Sequence, residues 1–186
     1  MKKFLTKGYL SAFIVIAVLV IDQIIKIWVK TNMYWHESIK ITDWFYIYFT
    51  ENNGMAFGME IFNKIFLTGF RIIAAIAITY LLVQYVKKNY KTGFLVCISL
   101  ILAGAIGNII DCVFYGKIWG YADWFHGQVV DMLYFPLIKN AAGEVLFFRP
   151  VFNIADSFIT VAVFLIIIFY RKDLDRSLNL MFPKKE

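Results

Sequence analysis

The chain has 186 residues, of which 61% are hydrophobic and 17% charged, against roughly 45–50% and about 25% in a soluble globular domain. With a mean hydropathy of +0.68 and 19% aromatic residues, this excludes a soluble enzyme and a disordered chain, and makes lipid the main solvent. The formal charge of +6 reads as the cytoplasmic basic excess of a polytopic protein, so nucleic-acid binding is not expected.

The first apolar run, about 8–29, follows Met-Lys-Lys, but no small-residue cleavage site follows it, and it ends in Asp22, Gln23 and Lys26. It reads as an uncleaved helix rather than a signal peptide. Next comes a segment at about 30–64, rich in interfacial aromatics such as Trp44, Phe45, Tyr46 and Tyr48. Within it, Ile39, Ile41 and residues 45–49 look extended, and Glu51-Asn52-Asn53-Gly54-Met55-Ala56-Phe57-Gly58 forms an amide-rich turn. Apolar runs at about 65–86 and 93–114 follow, each near the roughly 20 residues a spanning helix needs. A second outer segment, about 115–150, carries Trp119 and Trp124, and Asn140-Ala-Ala-Gly143 before residues 145–148 reads as a hairpin turn. The last run is about 151–170.

Eleven of the nineteen basic residues lie at the two termini and in the short 87–91 turn, which places both termini and that turn in the cytoplasm. The expectation is one membrane domain over 1–186, all-α with a small extracytoplasmic β element and four transmembrane helices. Cys97 and Cys112 lie fifteen positions apart on one helix, about 22 Å at 1.5 Å per residue, too far for a disulfide with each other.

Polar groups inside apolar helices are costly and mark functional sites by default. Gly107-Asn108-Ile109-Ile110-Asp111 ends the third run, and Phe152-Asn153-Ile154-Ala155-Asp156 opens the fourth. Because the two helices run in opposite directions, both blocks fall at one membrane level, and in each the Asn and Asp share a helical face. Asp22 and Lys26 form an i,i+4 pair in the first helix and read as a structural ion pair; Arg71 reads as an interfacial anchor or a partner for one of the acids. Taken singly, Asn and Asp at helix ends often only cap. Their coincidence at one depth is what points to a site.

The available chemistry is narrow. Two histidines, His36 and His126, with no H-E-x-x-H, give no zinc centre, and there is no G-x-S-x-G elbow or phosphate loop. Paired carboxylates remain: two acids held close cannot both ionise, so one stays protonated while the other acts as base, and water is activated without metal or other cofactor. A small proton- or ion-coupled transport subunit is the alternative, and a non-catalytic scaffold a third reading; the acids cluster near the outer boundary rather than at the midplane that transport favours.

Five blocks in order resemble lipoprotein signal peptidase, the signal peptidase II family of bacterial membrane aspartyl proteases: Asp22-Gln23 with Lys26, residues 52–58, residues 107–111, Gly127-Gln128-Val129-Val130-Asp131, and residues 152–156. The resemblance implies a monomeric endopeptidase of the bacterial cytoplasmic membrane, active near its outer face. It would cut lipid-modified prolipoproteins just before a diacylglyceryl-modified cysteine. It puts the catalytic pair on Asp131 and Asp156, and substrate-binding positions on Asn52, Gly54, Asn108, Asp111 and Asn153, with no metal. Asp123, in Gly120-Tyr121-Ala122-Asp123, is a rival for Asp131 with poorer spacing from its glycine. Two departures stand out: Cys112 occupies the place of the family's usual Arg, for which Arg71, Lys117 and Arg149 are candidate replacements, and residues 116–126 look like an insertion.

Overall fold

The computed structural model describes residues 2–52, 64–140, 145–147 and 150–182. Helix α1 (Lys2–Asn32) is followed by strands β1 (Ser38–Lys40) and β2 (Tyr46–Asn52), then helices α2 (Lys64–Lys87) and α3 (Thr92–Ile110). Helix α3 runs on through a π-helical stretch, Asp111–Tyr115, into the single turn α4 (Gly116–Ile118). Strands β3 (Val129–Tyr134), β4 (Ile138–Lys139), β5 (Val145–Phe147) and β6 (Val151–Phe152) precede helices α5 (Ile154–Phe169) and α6 (Arg171–Met181).

Among the described residues three helical stretches, Leu5–Asn32, Lys64–Lys87 and Thr92–Ile118, are long and apolar enough to cross a membrane, and a fourth span results if α5 and α6, bent by 99° at their junction, count as one. The expected run at 151–170 therefore divides. Its first two residues pair as β6, Asn153 caps, and only α5 is helical. Residues 171–181 continue as α6, whose charged sequence hides it from a search for apolar runs.

Helix α3 is the central post, in contact with α1, α2 and α5, while α2 and α5 share no packing of note. The sequence permits this because α3 has small residues where neighbours come close. A Cβ on Gly104 would meet the Ala155 carbonyl at 2.6 Å, and one on Gly107 would meet Asp22 Oδ2 at 2.6 Å. The polarity of the molecule is inverted relative to a soluble fold: Phe13, Ile24, Ile73, Phe164 and Ile168 are exposed, whereas Asp22, Lys26, Asp111, Asp131 and Asn153 are buried. That inversion is what a lipid solvent selects.

At one end of the bundle β1, β2, β3 and β6 form an antiparallel sheet in that order. Thr50 pairs with Asp131 and Leu133 with Phe152. A register shift between Ile47 and Thr50 marks a bulge in β2, which bends the strand toward the helix ends. Strands β4 and β5 pair as a separate hairpin; most of the expected Asn140-Ala-Ala-Gly143 turn lies outside the described residues.

Candidate active site

Three elements meet at the sheet end of the bundle: the C-terminal end of α3, strand β3 and the start of α5. Asn153 caps α5. Its side chain accepts from the Asp156 backbone N–H at 2.9 Å, and Asp156 Oδ2 accepts from the Asn153 N–H at 3.4 Å, a reciprocal capping box. The same Asn153 amide donates to Asp131 Oδ1 at 2.7 Å. One side chain thus fixes Asp156 by its cap and Asp131 by its amide. Asn52, at the end of β2, donates to the other Asp131 oxygen.

Asn108 completes the group. Its Oδ1 accepts from Asn153 at 3.1 Å and from the Lys26 ammonium at 3.0 Å. With its oxygen facing two donors, its amide nitrogen is directed to Asp156 Oδ1 at 2.8 Å. Amide orientation here follows from the network rather than from free choice.

Lys26 is wholly buried and pairs with Asp22 at 3.0 Å and Asp111 at 2.8 Å. Asp22 also accepts from the Ala155 N–H at 3.1 Å, pinning the first turn of α5. Asp111 accepts from Gln23 at 3.0 Å and from the Val130 N–H at 3.3 Å, pinning β3 one residue from Asp131. The expected structural ion pair is therefore one half of a three-residue buried cluster. Asp111, which the resemblance groups with substrate-binding positions, directs its carboxylate into that cluster and onto the β3 backbone.

Gly127 sets the entry to β3. Its N–H donates to the Cys112 carbonyl at 2.9 Å, and a Cβ there would collide with the Asp111 carbonyl. The residues after α4 brace the entry to the same strand: the Gln128 N–H donates to the Tyr121 hydroxyl at 2.7 Å. Burial pushes the Tyr121 hydroxyl up to about 12, so it stays neutral there.

Of the remaining expected positions, Gly54 lies outside the described residues. Asp123, the rival acid, is 85% exposed and faces Lys117 at 3.6 Å, remote in character from the buried Asp131. Among the cations considered for the place of Cys112, Arg71 reaches it, donating to its Sγ at 3.4 Å; Lys117 is with Asp123, and Arg149 is outside the described residues. Tyr115 is a support that sequence reading passed over, and Gln23 one it quoted without assigning a role: Tyr115 donates to Gln23 Oε1 at 3.0 Å, turning the Gln23 amide nitrogen to Asp111. A glutamine beside an aspartate in an apolar helix was the available signal. Among the described residues no group of His, Cys, Asp and Glu could hold a metal.

The family profile described as Signal peptidase (SPase) II matches residues 14–171. The chain belongs to the signal peptidase II family. Its similarity extends to individual relatives: it is 46% identical to the lipoprotein signal peptidase of Porphyromonas gingivalis, over 89% of this chain and 84% of that one. The lipoprotein signal peptidase of Amoebophilus asiaticus is 38% identical, over 83% and 75%. A solved structure described as a bacterial membrane enzyme superposes with a TM-score of 0.67 at 32% identity, covering 95% of this chain and 93% of that one. As a signal peptidase II the protein is an aspartic endopeptidase, and the ion-transport alternative finds no support.

Proposed function

We propose that this peptidase removes signal peptides from diacylglyceryl-modified prolipoproteins, cutting just before the lipidated cysteine, with Asp131 and Asp156 as its catalytic pair. The observation that carries the reading is the Asn153 side chain held between the two acids. Asp131 is 1% exposed. Burial, and after it the charge of Asp156, pushes its carboxyl up to about 8, against the opposing effect of the Asn153 hydrogen bond. At neutral pH it therefore keeps its proton and serves as the acid of the pair, which assigns the base role to Asp156.

The chemistry follows. Asp156 takes a proton from water as the oxygen adds to the scissile carbonyl carbon, and Asp131 gives its proton to the carbonyl oxygen. As the C–N bond of the resulting gem-diol breaks, Asp156 passes its proton to the leaving amine and Asp131 recovers one from a diol hydroxyl. Asn108 holds the Asp156 oxygen in place, and Asn52 does the same for Asp131.

Purified enzyme in lipid should cleave diacylglyceryl-modified precursor and leave the unlipidated precursor intact, with chelator present. Equal cleavage of both, or of neither, contradicts the substrate assignment. The pH dependence of kcat/KM should fall on the alkaline side near pH 8, where Asp131 loses the proton that protonates the carbonyl. Activity still rising at pH 9 contradicts the assignment of Asp131 as the acid.

In the orientation we propose, the enzyme is a monomer in the bacterial cytoplasmic membrane, with both termini in the cytoplasm and the sheet and dyad at the outer face. The basic-residue distribution supports it, as do Trp35, Trp44, Trp119 and Trp124, which all belong to the sheet-end segments. In a Cys97→Ala, Cys112→Ala background, Phe45→Cys and Asn140→Cys should react with an impermeant thiol reagent added to intact cells, and Lys88→Cys should not. The reverse pattern refutes the orientation.

A further inference from the structure

Residues of α1, α2 and α3 line a groove that reaches the end of the bundle remote from the aspartates. It has a volume of about 400 Å³. Its walls come from Gly8, Ser11 and Val15 of α1, Thr79 and Val86 of α2, and Leu102 of α3, and they present an almost wholly apolar surface. Gly8 lies at one end, where a Cβ would meet nothing within 4 Å.

That end is also the basic end. Gly8 follows Lys7, and Val86 precedes Lys87 and Lys88. Lys7 uses two of its three N–H donors on Asn89 Oδ1, at 2.8 Å, and the Tyr90 carbonyl, at 2.6 Å. These acceptors are neutral, so its charge is not cancelled. The two described acids at this end, Asp173 and Asp175 of α6, are outnumbered by Lys7, Lys87, Lys88, Lys91, Arg171, Lys172 and Arg176, and Asp173 faces Lys91 at 3.8 Å.

We infer that this groove binds one acyl chain of an anionic phospholipid, whose phosphate is held by Lys7, Lys87 and Lys88. Charge selects this occupant over the hydrophobic helix of a signal peptide. A signal peptide carries its own basic residues at the cytoplasmic end, which would face these lysines. An anionic headgroup instead meets three cations at the membrane surface.

Native mass spectrometry of the detergent-purified enzyme, titrated with an equimolar mixture of phosphatidylglycerol and phosphatidylcholine, tests this. The unmodified enzyme should retain one phosphatidylglycerol in preference to phosphatidylcholine by about tenfold. Gly8→Leu, which fills the groove mouth without a clash, should lose that lipid while keeping its KM for lipidated precursor. Ala12→Phe, from the exposed rim of the same groove, is the second variant and should behave alike. The triple change Lys7→Gln, Lys87→Gln, Lys88→Gln should bind both lipids equally. Equal retention of the two lipids by the unmodified enzyme, or undiminished phosphatidylglycerol in both groove variants, overturns the inference. A raised KM in the groove variants with lipid retention intact also overturns it, because the groove would then serve the substrate's own chains.

Discussion

Asp156→Asn and Asp131→Asn should each lose about a thousandfold or more in kcat while the protein still inserts and folds. The substitution preserves shape and removes the proton-transferring oxygen. At Asp131 it also preserves one of the two local hydrogen bonds, since an amide oxygen can still accept from Asn153 or Asn52. At Asp156 the backbone N–H remains bonded to Asn153, so the α5 cap is largely kept. The loss should therefore appear in kcat with little change in KM, measured in single-turnover cleavage of lipidated precursor. A large KM effect with kcat maintained would mean that these acids bind substrate rather than react with it.

Lys26→Met should have the largest effect on stability. It leaves Asp22 and Asp111 buried with no compensating cation, and breaking such a cluster from one side costs about 3–5 kcal/mol. The triple variant Lys26→Met, Asp22→Asn, Asp111→Asn removes the stranded charges and should recover much of the thermal midpoint in detergent. Its rate should stay depressed, because Asn108 Oδ1 has lost the ammonium at 3.0 Å that turns its amide nitrogen toward Asp156. Full recovery of both midpoint and rate would show that Lys26 acts on the fold alone.

The sequence made the helices legible because each is an apolar run of roughly spanning length, and made the two Asn-x-x-Asp blocks legible because that spacing shares a helical face. Other features had no such signature. The π-helical stretch at Asp111–Tyr115 has an ordinary apolar sequence, and Val151–Phe152 reads as part of a span until its pairing with β3 is seen. Helix α6 is too charged to register as membrane-associated, though it packs back on the bundle through Asp173 and Ser177.

At the site, the dyad positions came from motif order, and their support came only from three dimensions. Lys26 and Asn108 are 82 residues apart, as Asn52 and Asp131 are 79 apart, so no local pattern joins them. The same holds for Arg71, whose approach to Cys112 connects two helices. The capping reading of Asn153 and its place at the proposed site are a single arrangement: the cap of α5 is also the donor to Asp131.

The most direct test compares Asp131→Asn with Asp123→Asn, both assayed on lipidated precursor in the same membranes at matched protein levels. The buried Asp131 hydrogen bonded to Asn153 predicts that Asp131→Asn is inactive, and the exposed Asp123 beside Lys117 predicts near-normal cleavage by Asp123→Asn. Abolished turnover in Asp123→Asn with Asp131→Asn close to normal would contradict the account and move the dyad to Asp123 and Asp156.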